Sequence, residues 1–269
     1  SEAIRLLDGP GGELADPVEK PESRLGRARA LRSMGKLTTE QAAQAAHDYK
    51  TAFLLSSRED WDTDQENIED GASRNPYAAW EWGMALRSAG EYKQAADAHA
   101  LAAFAFKEVG DKARSVISSL DAGIDLAATA DVDETKSVLE KAIKSTTTVE
   151  GRDVELLQRV IAKEGEARIA LASVLWSAND KGGAESQLGE ACLRLDQLDA
   201  DAQAREAARV KSGAMPPPKI KKLKFSIDDI ASAGQTSCSR FKNDKFLSET
   251  LQWPDTLQAK VGKLNKLSK

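Results

Sequence analysis

A chain of 269 residues can bury a large core, and with aromatics at only 5% and alanine abundant it is expected to fold as an all-α protein. No run of eighteen apolar residues occurs, so no segment reads as a membrane span. The net charge of −5 is uneven: residues 219–269 hold eleven Lys/Arg against five acids (+6), and residues 1–218 hold 27 against 38 (−11). An acidic body with a basic tail suits two partners of opposite sign, a tail folded onto the body, or a solvated tail. The sequence starts at Ser1, which suits removal of a targeting segment and equally suits trimming. No Asn-x-Ser/Thr sequon supports a glycosylating route.

Residues 1–23 are rich in Gly, Pro and acids and read as an extended lead-in. Helical spacing predicts a hairpin from Arg24–Ser33 and Thr39–Leu55, carried by Leu25, Ala28 and Leu31 and then Ala42, Ala45, Ala46, Tyr49, Ala52 and Phe53. The acidic loop Glu59–Asp70 places Asp60, Asp62 and Asp64 as in an EF-hand. Gln65 and Gly71 stand where such a site needs its glycine and its bidentate glutamate, so calcium is not expected.

The strongest pattern runs from Asn75 to Gly110. Asn75 caps a helix that Pro76 opens, Gly90 ends it where a positive φ is cheap, and a second helix from Tyr92 is ended by Gly110. Gly83, Ala95 and Ala102 leave room for close helix crossing, with Trp80, Trp82 and Tyr92 filling the gaps. Trp80 and Trp82 diverge by about 200° around the helix, so one is expected in the core and the other as an interaction anchor. Further helices are predicted over Asp111–Ala130 and Glu134–Lys144, with Gly123 aligned to Gly83 and Ala142 to Ala102, while Thr135 takes the place of Ala95. A last hairpin, Val154–Trp176 and Gly183–Leu195, repeats the spacing in Ala172, Ala184 and Ala191, and helicity fades through Gln203–Val210.

The domain plan is thus an extended segment 1–23, a helical solenoid 24–211, a proline linker 212–218 and a basic arm 219–269 with short helices. In the arm, the stretch with Lys221, Lys222, Lys224 and Phe225 alternates charge and apolar character after Lys221, as a strand added to a partner's sheet or simply an extended arm would. Ser226–Asp229 resembles a helix start. Arg240, Phe241 and Trp253, with Phe246, Leu247, Leu251, Leu257, Val261 and Leu264, supply further anchors.

Cys192 and Cys238 either bridge, tying the arm to the solenoid, or are ordinary thiols in a reducing compartment. Two cysteines and two histidines far apart give no metal signature, and no cofactor is expected. Phosphate-loop, Gly-x-Ser-x-Gly and His-Glu-x-x-His motifs are missing. Ser33–Lys36 and Ser239–Lys242 match Ser-x-x-Lys without a partner motif, and His47 and His99 read as packing or surface residues. The chain is expected not to be an enzyme.

Glycine and aromatic in a first helix, with alanine early in the second and again seven residues later, resembles the tetratricopeptide repeat. Repeat starts lie 40 and 49 residues apart rather than the usual ~34. Trp80 and Met84 stand where chaperone-binding members carry Lys and Asn, which argues against a co-chaperone. Asn75–Tyr92, Cys238-Ser239-Arg240-Phe241 and Leu251-Gln252-Trp253-Pro254 together resemble the tetratricopeptide-like proteins of the plastid (chloroplast) thylakoid lumen. That resemblance implies a non-enzymatic scaffold in the lumen, peripheral to the membrane, that binds and stabilises or helps assemble photosystem I or II. The alternative is a repeat adaptor in another compartment whose basic tail binds an acidic protein or nucleic acid; the acidic body weighs against nucleic acid.

Overall fold

Most helix starts are fixed by a polar side chain that takes up free backbone amides. The computed structural model describes residues 20–34, 37–56, 74–151, 153–213 and 237–265. The Glu59–Asp70 loop, Lys221, Lys222, Lys224, Phe225 and Ser226–Asp229 lie outside the described residues, as do nearly all of the lead-in and most of the proline linker. The helices are α1 (Pro21–Ser33), α2 (Thr39–Leu55), α3 (Pro76–Ala89), α4 (Tyr92–Glu108), α5 (Lys112–Leu126), α6 (Val132–Thr146), α7 (Val154–Ser177), α8 (Lys181–Lys211) and α9 (Asp255–Asn265). A 3-10 turn, Cys238–Lys242, and a π-type turn, Phe246–Thr250, precede α9. No strand occurs among the described residues.

Asn75 Oδ1 accepts from the amides of Tyr77 (3.0 Å) and Ala78 (3.2 Å), with Pro76 at the first helical position. Thr38 and Gln41 form a reciprocal capping box at α2. Asp131, Asp153 and Asp180 cap α6, α7 and α8 through the amides of Glu134, Leu156 and Gly183. Gly90 ends α3 at φ +84°, a conformation that leaves only Glu91 before α4. Several helix bounds differ from the sequence expectation, among them the start of α8 at Lys181 rather than Gly183 and the end of α5 at Leu126 rather than Ala130. Pro21 opens α1 three residues early, and Asp131 lets α6 begin at Val132. Helix α8 continues to Lys211 because its alanine-rich second half is reinforced by bonds from Gln197 to Asp201 (2.8 Å) and from Gln203 to Asp199 (3.0 Å), four residues apart.

The chain separates into two compact units, residues 1–118 and 119–269, so the predicted stretch 24–211 is divided within α5. In the first unit each helix packs on the next, α1 on α2, α2 on α3 and α3 on α4. Their core joins Ala28 and Leu31 of α1, Ala45, Ala46 and Tyr49 of α2, Ala85 and Leu86 of α3, and Ala95 and Ala98 of α4. In the second unit α6 packs on α7, α7 on α8, and α9 returns onto α7.

The repeating element is a register counted from the residue that caps each second helix: Thr38, Glu91, Asp131 and Asp180. Four residues on stand Ala42, Ala95, Thr135 and Ala184, and eleven on stand Tyr49, Ala102, Ala142 and Ala191, all buried. Eight residues before and eight after Glu91 are Gly83 and His99; the same count around Asp131 gives Gly123 and Leu139. A Cβ at Gly83 would lie 2.5 Å from the His99 ring, and one at Gly123 would overlap Leu139. Each glycine therefore makes room for a large side chain across the hairpin. In the hairpin of α7 and α8, Ala172 is buried at the Gly83 position, and the close contact recurs one heptad further out, Gly165 against Leu195. His99 itself is fully buried, its ring 6.1 Å from that of Trp80.

Arginines of α1 tie the first unit together through two buried acids. Asp48 receives Arg24 (3.0 Å) and Arg27 (2.5 Å), and Glu81 receives Arg29 (3.0 Å). Burial raises the Asp48 carboxyl, but hydrogen bonds from Arg27 and Arg24 outweigh it and hold the group below its ordinary value. Glu81 goes the other way, its burial outweighing the pull of Arg29.

Two outcomes follow for stability. Gly165→Ala should destabilise by about 1–3 kcal/mol in urea denaturation, since the clash with buried Leu195 exceeds the helix-propensity gain. Gly189→Ala, where a Cβ meets nothing within 4 Å, should stabilise by about 0.5–1 kcal/mol. For Asp48, a folded pKa below the unfolded one means stabilisation above about pH 4 that is lost as pH falls through the lowered value. Asp48→Asn should therefore be less stable at neutral pH and show a flatter decline between about pH 5 and pH 2.

Candidate interaction site

Helix α7 is buried around almost its whole circumference because α6, α8 and the C-terminal segment surround it. Two of its faces carry charge into that interior. On the side of α8, Glu164 receives Arg168 (2.9 Å) and Arg194 (3.1 Å). On another, Lys163 and Glu166 sit three residues apart and pair at 2.7 Å. Lys163 also donates to Asp121 of α5 at 3.2 Å, and the Trp253 indole N–H donates to Glu166 at 2.7 Å. Asp121, Lys163, Glu166 and Trp253 are 0, 2, 1 and 3% exposed. Two carboxylates share one ammonium here, so the indole supplies the donor that the second carboxylate needs in a dry interior. These groups are consumed in holding helices together.

The C-terminal segment continues the closure. Lys260 Nζ donates to the carbonyls of Ala127 (2.7 Å) and Thr129 (3.0 Å), and Thr256 Oγ1 to that of Ala128 (3.0 Å), satisfying oxygens left over at the end of α5. Burial lowers the Lys260 pKa, with the charge of Lys263 adding to the effect. Phe241 lies edge-on to Phe246 (5.5 Å) and 5.7 Å from Trp253. Cys192 and Cys238 are joined in a disulfide between α8 and the 3-10 turn, and the Cys238 amide donates to Asp196 at 3.0 Å.

This placement corrects two of the anchors expected in a basic arm. Phe241 and Trp253 are each only 3% exposed, and with Leu257, Val261 and Leu264 they belong to the core of the second unit. Eight buried apolar side chains between 241 and 264 drive that packing, and nothing in the charge count of the arm announces it. Arg240 stays at the surface, its guanidinium 5.7 Å from the Phe246 ring, on a shallow depression of about 330 Å³ shared with Asn243, Lys245, Glu249 and Thr250. Trp80 is in the core, while Trp82 is half-buried with the Lys50 ammonium 5.5 Å from its ring. Among the described residues no group of three His, Cys, Asp or Glu could hold a metal ion.

Sequence reading passed over Leu101 and Phe104. They stand on the outer face of α4, 43 and 62% exposed, one turn apart. Their register gave the signal: ten and thirteen residues after the cap, α6 carries exposed Lys141 and Lys144, where α4 carries leucine and phenylalanine. The chain matches no protein-family model, no curated protein and no solved structure.

Trp253→Phe keeps a ring in place and removes the indole donor to Glu166. It should cost about 1–3 kcal/mol in urea denaturation. A cycle with Glu166→Gln should show coupling of at least about 1 kcal/mol, which a purely apolar role for Trp253 would not produce.

Proposed function

We propose that this chain is a non-enzymatic scaffold for protein–protein interaction, a tetratricopeptide-like stack of helical hairpins that docks a partner on the outer face of α4. The observation that carries the proposal is Phe104, 62% exposed beside Leu101, at positions where the next second helix is cationic. An exposed aromatic on a rigid helix is the kind of anchor that dominates binding energy once a partner excludes water from it. The buried charges of α7 support a non-enzymatic reading, since Lys163, Glu164 and Glu166 are engaged in ion pairs within the core.

The partner we propose follows from the resemblance of Asn75–Tyr92, Cys238–Phe241 and Leu251–Pro254: photosystem subunits exposed on the luminal face of the thylakoid membrane. Peripheral docking suits a chain in which no described helix is long and apolar enough to cross a membrane. The Cys192–Cys238 bridge suits a compartment outside the reducing cytosol.

The test is affinity capture by the tagged full-length chain from detergent-solubilised thylakoid membranes, with photosystem subunits quantified by mass spectrometry. The expected result is capture by the wild-type chain and at least about a tenfold loss with Leu101→Glu/Phe104→Glu. Absence of photosystem subunits from the wild-type capture would overturn the partner. Equal capture by the variant would overturn the α4 face.

A further inference from the structure

The C-terminal segment is joined to the second unit in two chemically different ways. Its non-covalent contacts are the Trp253–Glu166 bond and the Lys260 and Thr256 bonds downstream of residue 240, with the single Cys238–Asp196 hydrogen bond beside the disulfide. The covalent contact lies at its start, where the disulfide closes a loop between residues 46 apart in sequence. Both cysteines are only half-buried, and Leu193 beside Cys192 is 69% exposed, so a small reductant can reach the bridge. The α7–α8 hairpin beneath does not need the bridge: it is held by Gly165 against Leu195, by Glu164 with Arg168 and Arg194, and by buried Ala184 and Ala191.

We propose that the Cys192–Cys238 disulfide is a redox-controlled latch, and that its reduction lets the segment 246–264 open from α7 while the α7–α8 hairpin stays folded. The chemistry is thiol–disulfide exchange with a dithiol. One thiolate of the dithiol attacks a sulfur of the bridge and forms a mixed disulfide. Its second thiol then closes the dithiol's own disulfide, and two electrons and two protons leave Cys192 and Cys238 as thiols. Reduction restores the entropy of a loop of that length to the open state, worth up to about a thousandfold in the opening equilibrium. Opening removes the indole donor from Glu166 and brings water to Lys163, Glu166 and Asp121, an apolar face with acidic groups that the closed form hides.

Hydrogen exchange of the full chain, oxidised and after reduction with a phosphine, reads this directly. The reporters are the Leu251 amide, bonded to Phe246 O (3.0 Å), the Trp253 amide, bonded to Leu247 O (2.9 Å), and the amides of α9. The expected result is a tenfold or greater loss of protection over 246–264 on reduction, with α7 and α8 unchanged and protection recovered on reoxidation. Cys192→Ser/Cys238→Ser should show the open behaviour without reductant. Unchanged protection over 246–264 would overturn the latch. So would a parallel loss across α7 and α8, which would make the bridge a staple of the whole unit.

Discussion

The structure depends on how closely the two helices approach in the hairpins α3–α4, α5–α6 and α7–α8. Where Gly83 faces His99, Gly123 faces Leu139 and Gly165 faces Leu195, a single Cβ would occupy space already filled by a buried side chain. That contact sets the axial offset of these pairs, and the buried Ala95, Thr135 and Ala184 four positions beyond the cap and Ala102, Ala142 and Ala191 eleven beyond it follow from it. Helix caps matter for the same reason. Moving the start of α4 or α6 by one residue would turn the whole second helix by about 100° and take His99 or Leu139 off its glycine.

The caps and the register were legible because they rest on local chemistry. Asn75-Pro76, Gly90 and the spacing of Gly83, Ala95 and Ala102 announced a hairpin, and Ala142, Ala172, Ala184 and Ala191 carried it along the chain. What the glycines face was hidden, since spacing along one helix does not reveal the residue across from it. The end of α8 was missed because side-chain hydrogen bonds and alanine propensity sustain a helix there without an apolar stripe.

The positive charge of the C-terminal segment left open an arm reaching for partners, a solvated tail and a tail folded onto the body, and its apolar residues between 241 and 264 decide for the last. Trp253 matters most there: its indole donates to one oxygen of Glu166 while Lys163 pairs with the other, inside a group of charges that a dry interior would not otherwise tolerate. The exposed pair Leu101 and Phe104 was overlooked. Apolar residues on a helix read as core until the register shows that their side faces outward.

Inserting one alanine after Lys93 is the most direct test of the register. It would move Ala95, His99 and Ala102 together while leaving composition and helix propensity almost unchanged. Urea denaturation should then show a loss of at least about 3 kcal/mol, or loss of a cooperative transition, while the same insertion between Lys107 and Glu108, near the end of α4, costs about 1 kcal/mol or less. Equal tolerance of both insertions would contradict the account, because the spacing from the turn would then not be what holds these helices in place.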